Sequence, residues 1–247
     1  MKKPRLRDSK YLESSIYPID NIQDDIIIKI AGSIIYLIYT GRNDMTGDDW
    51  GNIFANAIEG EHLSSPLGIA DVVKDKTAWS MKTVKNANPL IATNVRLISG
   101  RCSPDYSYGI TDPHADIQKT GEAVLAIWNS RVDIALAHYN TVRIGVLVRS
   151  NDLQEFVYFE EYLEHFRLSQ YIWKENPRGN LEGYDKYSGN KHFIWQPHGS
   201  QFTILCNIPD NGIKFRVKHP RPMTEKEVLD SLNFSSEWIE FIDNKSK

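Results

Sequence analysis

The chain of 247 residues is long enough for one large domain, and its apolar fraction of 41% allows a substantial core. No run of about 18 or more apolar residues occurs, and the closest stretch, 26–39, is interrupted by Lys29, so we expect no membrane span. The basic start lacks the apolar run of a signal peptide, and two cysteines, Cys102 and Cys206, are too few for a zinc cage. We therefore expect a cytoplasmic protein with free thiols.

Charge is distributed unevenly along the chain. The net charge is −3, but residues 167–222 contain nine basic and four acidic side chains, which leaves −8 for the remainder. A basic region on an acidic protein is compatible with a surface that faces phosphates.

The first half of the chain predicts three elements. Residues 26–39 are either a buried helix or a pair of strands, and both interpretations stay open. Residues 46–62 indicate a helix, which Thr46 can cap. Its apolar face is formed by Trp50, Phe54, Ala57 and Ile58. Two β-type runs, 68–73 and 77–84, then form a hairpin by pattern.

The second half alternates between helical and β-type patterns. The elements follow as a mixed segment at 94–113, a helix at 119–139, a buried strand at 141–150, a strand continuing into a helix at 155–166, a β-rich segment from 169 onward, and short helices at 224–234 and 235–244. This order predicts an α/β fold with a mixed β-sheet flanked by helices and a β-rich C-terminal elaboration. We expect a single domain with a core at about 40–165, the elaboration at about 166–222 and the C-terminal helices at 223–247.

The hairpin carries a charged residue on each of its apolar strands. Alternation puts Ser80 and Lys82 on the face opposite Trp79, and strand pairing can bring Asp71 to within roughly 5 Å of them. A buried aspartate needs a partner, so Lys82 can be a structural one. Alternatively, the carboxylate binds a divalent cation and the ammonium lies near an attacking water, which suits phosphodiester hydrolysis.

Asp71 and the later Ser80-Met81-Lys82 resemble the D-x(n)-(D/E)-x-K signature of the PD-(D/E)xK nuclease superfamily. A helix before the hairpin, and a helix and a strand after it, resemble the common core of that superfamily. The chain departs from the motif at two positions, because Ala70 stands where proline precedes the aspartate and Ser80 occupies the acidic slot.

Residues 122–161 and 173–204 are similar to type II restriction endonucleases, and the whole resemblance covers about 46–220. It implies a restriction-endonuclease-like core in which only Asp71 and Lys82 match catalytic positions.

Serine in the acidic slot leaves the expected metal site one carboxylate short. At about 100° per residue, Glu61 lies about 20° from Trp50 on the apolar face of the predicted helix, whereas Glu59 lies about 180° away. We therefore predict Glu61 as the displaced carboxylate and keep Glu59 in reserve. A frayed helix end in solvent is the alternative for Glu61.

Polar and basic residues of the β-rich part suit the reading of base edges and the positioning of phosphates. The predicted DNA-binding residues are Arg96, Arg101, Arg178, Lys191, His198 and Gln201. For each of them, a surface residue without a partner is the alternative, and Arg101 can also pair with Asp105.

Other catalytic schemes lack their motifs, since the sequence has no G-x-S-x-G elbow and no glycine-rich phosphate loop. The run Asp112-Pro113-His114-Ala115-Asp116 favours a solvated turn over a metal cluster.

We expect a Mg²⁺-dependent type II restriction endonuclease that hydrolyses double-stranded DNA at a specific sequence. Asp71 and Glu61 are expected to bind the metal, Ser80 to occupy the acidic slot, and Lys82 to orient or activate the attacking water. Two-fold DNA calls for a homodimer, and the resemblance implies a cognate methyltransferase that acts on the same site. The alternatives are a catalytically inactive DNA-binding protein on a nuclease-like core and a structure-selective nuclease such as a junction resolvase.

Overall fold

The computed structural model describes residues 16–19, 21–163 and 165–242, with the backbone alone at 65–67. The α-helices in these residues are α1 (Asp24–Tyr39), α2 (Gly47–Ile58), α3 (Pro104–Tyr108), α4 (Ile117–His138) and α5 (Glu225–Ser231). Short 3₁₀ turns occur at Pro89–Ile91, Leu168–Gln170 and Ser236–Trp238. None of the helices in the described ranges is both long enough and apolar enough to cross a membrane.

The strands form two sheets. The first five along the chain are β1 (Glu61–Leu67), β2 (Ala70–Lys74), β3 (Thr77–Lys85), β4 (Asn94–Arg101) and β5 (Thr141–Arg149). The other six are β6 (Glu155–Tyr162), β7 (Tyr171–Glu175), β8 (Leu181–Asp185), β9 (Lys191–Gln196), β10 (Gln201–Asn207) and β11 (Ile213–Arg216).

The central sheet has the strand order β1-β2-β3-β5-β6-β11. Its neighbouring strands are antiparallel except for β3 and β5, which run parallel over the full length of both strands. A parallel pair needs a long crossover, and here the crossover contains β4, α3 and α4. The fold is therefore mixed α/β, with a mixed sheet flanked by helices, as the sequence predicts.

The second sheet is antiparallel and has the order β4-β10-β9-β8-β7. The predicted division of the chain near residue 166 does not follow the sheets. Strand β4 comes from the first half of the chain and joins the second sheet, whereas β11 returns from the second half to pair with β6 in the central sheet.

Two hydrophobic clusters cover the two faces of the central sheet. One packs α1 and α2 against Trp79, Met81 and Leu147. The other packs α4, together with the inner face of the second sheet, against Ala78 and Val146. Strand β5 is covered on both faces, and every residue from Val142 to Arg149 is buried.

The structure resolves the open choice at 26–39, where α1 is a helix. The hairpin, the helix at 119–139 and the buried strand at 141–150 are confirmed. Two predicted helices are wrong. After β6, the residues up to 166 that the structure describes form no helix, and within 235–242 only a single 3₁₀ turn occurs.

The predicted helix at 46–62 is confirmed at its start and wrong at its end. Thr46 caps α2 in a capping box with Asp49. The helix ends at Ile58 because Glu59 adopts a left-handed conformation with φ 57°. A Cβ at Gly60 would lie 2.7 Å from the carbonyl oxygen of Val73, so only glycine allows the chain to pass this close to β2. Glu61 is consequently the first residue of β1.

Candidate active site

Strands β2 and β3 bring Asp71 and Lys82 to one face of the central sheet. Val72 pairs with Trp79 and Val73 with Ala78, which puts Asp71 next to Ser80 across the hairpin. Trp79 and Met81 point into the α1–α2 cluster. Ser80 and Lys82 therefore point to the opposite face, toward α4, as the alternation predicts.

The Asp71 carboxylate is held from β3 by three donors. Its Oδ2 accepts hydrogen bonds from the Met81 backbone amide at 2.8 Å and from Ser80 Oγ at 3.3 Å. Lys82 Nζ lies 3.6 Å from the same oxygen. In the part of the chain that the structure describes, Asp71 Oδ1 has no such partner, so it is free to accept a further donor or a cation.

The Lys82 ammonium donates to Ser80 Oγ at 2.9 Å and to the Met81 carbonyl oxygen at 3.1 Å. The side chains of Lys82 and Asp71 are 19% and 24% exposed, so the pair lies at the edge of the core within reach of a ligand. Burial lowers the pKa of Lys82, and the charge of Arg131 lowers it further, while Asp71 acts in the opposite direction.

The two predicted carboxylates occupy different surroundings. Glu61 pairs with Val73 across β1 and β2, which makes it the diagonal neighbour of Asp71, at roughly 7–8 Å in a regular sheet. Its side chain is exposed. Glu59 forms an ion pair with Lys29 of α1 at 3.1 Å, on the other side of the central sheet. Of the two, Glu61 is therefore the nearer to Asp71 in the strand pairing. It belongs to a strand, however, and not to the helix that the sequence predicts.

The carboxylates of Asp71 and Glu61 are the groups in this region that could hold a cation shared with a substrate. Among the described residues, no cluster of three histidine, cysteine or acidic side chains forms a metal cage. Mg²⁺, however, usually binds through one or two carboxylates together with water and substrate phosphates. Asp71, with Glu61 on the neighbouring strand, provides that smaller set of hard oxygen ligands.

Arg131 of α4 is the residue of this region that the sequence reading missed. It continues the buried stripe of the helix, formed by Val124, Trp128 and Ala135 at helical spacing. A charged residue on such a stripe is a signal that was present in the sequence. Its Nε donates to the Gly68 carbonyl at 3.3 Å and its Nη1 to the Ser99 carbonyl at 3.1 Å.

Four of the predicted DNA-binding residues gather at one end of the second sheet. Gln201 pairs with Arg101 at the end of β4. The β7–β8 turn with Arg178 and the β9–β10 turn with His198 leave the sheet at the same end, as the pairing of Leu181 with Trp195 shows. Ser99, near this end of β4, accepts a hydrogen bond from Arg131, which also donates to Gly68, three residues before Asp71.

The other two predicted DNA-binding residues lie toward the opposite end. Arg96 pairs with Leu205 near the start of β4, and Lys191 begins β9. Lys191 also forms an ion pair with Glu182 at 3.0 Å. The structure therefore does not bring Arg96 and Lys191 together with the other four.

The acidic turn before α4 has local structural partners. Asp116 caps α4 by accepting from the Lys119 amide at 2.9 Å, and Asp112 accepts from the His114 amide at 3.0 Å. The His114 ring lies 3.2 Å from Glu175 of β7. This arrangement agrees with the predicted solvated turn.

Comparisons with known proteins do not add a name to this geometry. No family model, no curated protein and no solved structure matches the chain. The fold and the site therefore define its class, which is a mixed α/β protein with a half-buried aspartate–lysine pair at the edge of its core.

Proposed function

We propose that the protein is a divalent-metal-dependent endonuclease of the type II restriction kind, with its active site at Asp71 and Lys82. The observation that carries this proposal is the arrangement of these two side chains. They project from adjacent strands on one face, share Ser80 as a hydrogen-bond partner, and remain partly open to solvent.

The element order gives independent support. Helix α2 precedes the hairpin β2–β3, and α4 then leads to β5, which is parallel to β3. This order resembles the restriction-endonuclease-like core that the motif implies. Asp71 and Lys82 lie on the β2–β3 hairpin, which is the position that the signature would occupy in the proposed core.

Hydrolysis of a phosphodiester adds a water oxygen to phosphorus and breaks one P–O ester bond. The Lys82 ammonium can donate a hydrogen bond to that water or to a phosphate oxygen, because Ser80 and the Met81 carbonyl hold it in place. Asp71, together with Glu61, would bind Mg²⁺, which supplies charge stabilisation to the phosphate when it is bound. Ser80 positions both charged groups through its hydroxyl.

Sequence specificity would come from the end of the second sheet at which four of the predicted DNA-binding residues gather. Arg101, Arg178, His198 and Gln201 lie there, and side chains of these types bind base edges and phosphates. A homodimer on a two-fold site, and a methyltransferase that protects that site, are expectations that accompany the proposal.

The proposal is tested by digestion of a genome-sized DNA of known sequence with Mg²⁺, and with a chelator as the control, followed by sequencing of the ends. We expect cleavage only with Mg²⁺, and ends that share one short sequence. If the ends shared no common sequence, the proposed active site would stand, but the proposed recognition of a specific sequence would be contradicted. Intact DNA under all conditions would contradict the nuclease.

One observation favours a second candidate, an inactive DNA-binding protein on the same core. Ser80 stands in the acidic slot of the motif, and it engages Lys82 and Asp71 in a closed set of hydrogen bonds. Binding of duplex DNA without cleavage in the same experiment would identify this candidate.

A further inference from the structure

The charge of Arg131 is not neutralised by any acidic side chain in the described part of the chain. Its guanidinium donates to the Gly68 and Ser99 carbonyl oxygens and lies near enough to the Cys102 thiol to affect its pKa. The thiol is neutral at physiological pH, because burial raises the pKa of Cys102 to about 11. All three groups are therefore uncharged.

Among the described residues, Asp71 is the one carboxylate that pairs with either Lys82 or Arg131. Lys82 is matched by Asp71, whereas Arg131 adds a second cation near enough for its charge to act on Lys82. A cation taken partly out of water without a counterion is unfavourable. An anion would give Arg131 the charged partner that it lacks among the described residues.

Two glycines fix Arg131 at this position. At Gly68, with φ +66°, a Cβ would lie 2.5 Å from the Arg131 carbonyl oxygen. At Gly100, with φ +90°, a Cβ would lie 2.8 Å from Arg131 Nη1. Side chains would be excluded at both positions, so the backbone closes around the arginine from the β1–β2 turn and from β4.

The guanidinium has five N–H donors, and two of them are used by the Gly68 and Ser99 carbonyl oxygens. We propose that Arg131 uses its remaining donors to bind a non-bridging oxygen of the DNA phosphate that lies beside Lys82. Arginine suits this role because its planar fork matches the geometry of a phosphate. The inference rests on the proposed function, since that function supplies the phosphodiester.

The inference is tested by duplex binding without metal, at several salt concentrations, for Arg131→Gln, Arg131→Lys and the control Arg42→Gln. Arg42 pairs with Asp49 at the start of α2, on the other side of the central sheet. Each phosphate contact contributes about 0.9 to the slope of log K against log salt. We expect Arg131→Gln to lower that slope by about 1, and Arg131→Lys and Arg42→Gln to leave it unchanged.

Cleavage with Mg²⁺ under single-turnover conditions provides the second readout. Loss of one positioned donor lowers a rate by about 10²–10³-fold, and we expect this for Arg131→Gln. Arg131→Lys is expected to lose rate although it keeps the charge. Inorganic phosphate distinguishes the source of the anion: an affinity for it equal to the affinity for a short duplex would contradict a DNA phosphate.

The outcomes separate this inference from the proposed function. If the wild type cleaves DNA and Arg131→Gln matches it in both slope and rate, the role of Arg131 is refuted and the nuclease stands. If the wild type does not cleave, the nuclease is refuted. The change in the slope of log K against log salt on Arg131→Gln then decides by itself whether Arg131 contacts a phosphate. Should Arg131→Gln fail to fold, Arg131→Lys decides the question by the cleavage rate, and an unchanged rate in that variant would refute the role of Arg131.

Discussion

Two acid–base pairs lie on opposite faces of the central sheet, and they differ in almost every respect. On the α4 face, Asp71 and Lys82 are separated by 3.6 Å and are 24% and 19% exposed. On the α1–α2 face, Arg143 and Glu160 are separated by 2.8 Å and are 0% and 1% exposed. The first pair is loose and accessible, whereas the second is tight and dry.

The surroundings of Glu160 explain the tight pair. The carboxylate accepts hydrogen bonds from the Tyr17 and Tyr158 hydroxyls and from Trp79 Nε1 in addition to Arg143. Arg143 also donates to the Tyr17 carbonyl oxygen at 2.7 Å. Hydrogen bonds of this kind offset the cost of burying a charge, although Arg143 Nε has no hydrogen-bond partner among the described residues. The pair ties the segment before α1 to the central sheet.

The comparison shows how a pair that stabilises the fold differs from a pair that is placed for catalysis in the same sheet. Glu160 has donors on both of its oxygens and no route to solvent. Asp71 concentrates its donors on Oδ2, and Arg131 nearby leaves the charge unbalanced. We therefore expect substitutions at the Arg143–Glu160 pair to lower stability, and substitutions at the Asp71–Lys82 pair to lower activity.

The largest expected effect is on cleavage, from Asp71→Asn. The amide keeps the shape and can still accept from the Met81 amide, but it removes the negative charge that would hold Mg²⁺. The loss of several kcal/mol of charge stabilisation corresponds to about 10⁴-fold in rate. Single-turnover cleavage measures it, with Asp75→Asn in the turn of the same hairpin as the control. Equal losses for both variants would contradict the assignment.

The next effect is on stability, from Arg143→Ala. Removal of one partner of a buried pair leaves an uncompensated charge and costs about 3–5 kcal/mol. Denaturant unfolding measures this difference. Lys82→Ala is expected to change the free energy of unfolding by less than about 1 kcal/mol, because that pair is partly solvated. If the two costs were equal, the distinction between the pairs would fail.

A smaller effect separates the two candidate carboxylates. Glu61→Gln is expected to raise the Mg²⁺ concentration needed for half-maximal cleavage about tenfold, since ligand charge sets the affinity for a hard cation. Glu59→Gln is expected to leave it unchanged, because Glu59 is engaged with Lys29. Titration of cleavage with Mg²⁺ tests both variants. The reverse order would restore Glu59 as the second carboxylate.

The smallest effect is expected at a third, solvated pair. Lys85, then the Met45 amide and Arg149, hold the pKa of Asp44 at about 2, below its ordinary 3.8. Because the folded-state pKa is lowered, this stabilisation is present above pH 3.8 and is lost as the pH falls toward 2. Screening limits it to less than about 1 kcal/mol. Asp44→Asn should flatten the acid limb of stability against pH, and an unchanged limb would contradict the assignment.

Sequence patterns predicted much of the fold because the periodicities were long. Helix α4 and strand β5 were both predicted within a few residues of their ends, and the charged hairpin was predicted with the correct faces. The end of α2 was not predicted correctly, because it depends on the close approach of Gly60 to Val73, which no local pattern encodes. The partition of strands between two sheets likewise depends on long-range pairing.

The candidate site was predictable only in part. Asp71 and Lys82 are close in sequence, so alternation was sufficient to bring them together. Arg131 is far from them along the chain, and its position depends on how α4 crosses the sheet. Its one signal in the sequence was a charge on an apolar stripe of the helix.

The most direct test of the central claim is a comparison of Lys82→Ala with Lys85→Ala, which changes the same residue type three positions further along β3. Cleavage of plasmid DNA with Mg²⁺ and duplex binding without it are measured for both variants and the wild type. We predict that Lys82→Ala binds DNA and does not cleave it, and that Lys85→Ala does both. Full cleavage by Lys82→Ala would contradict the account.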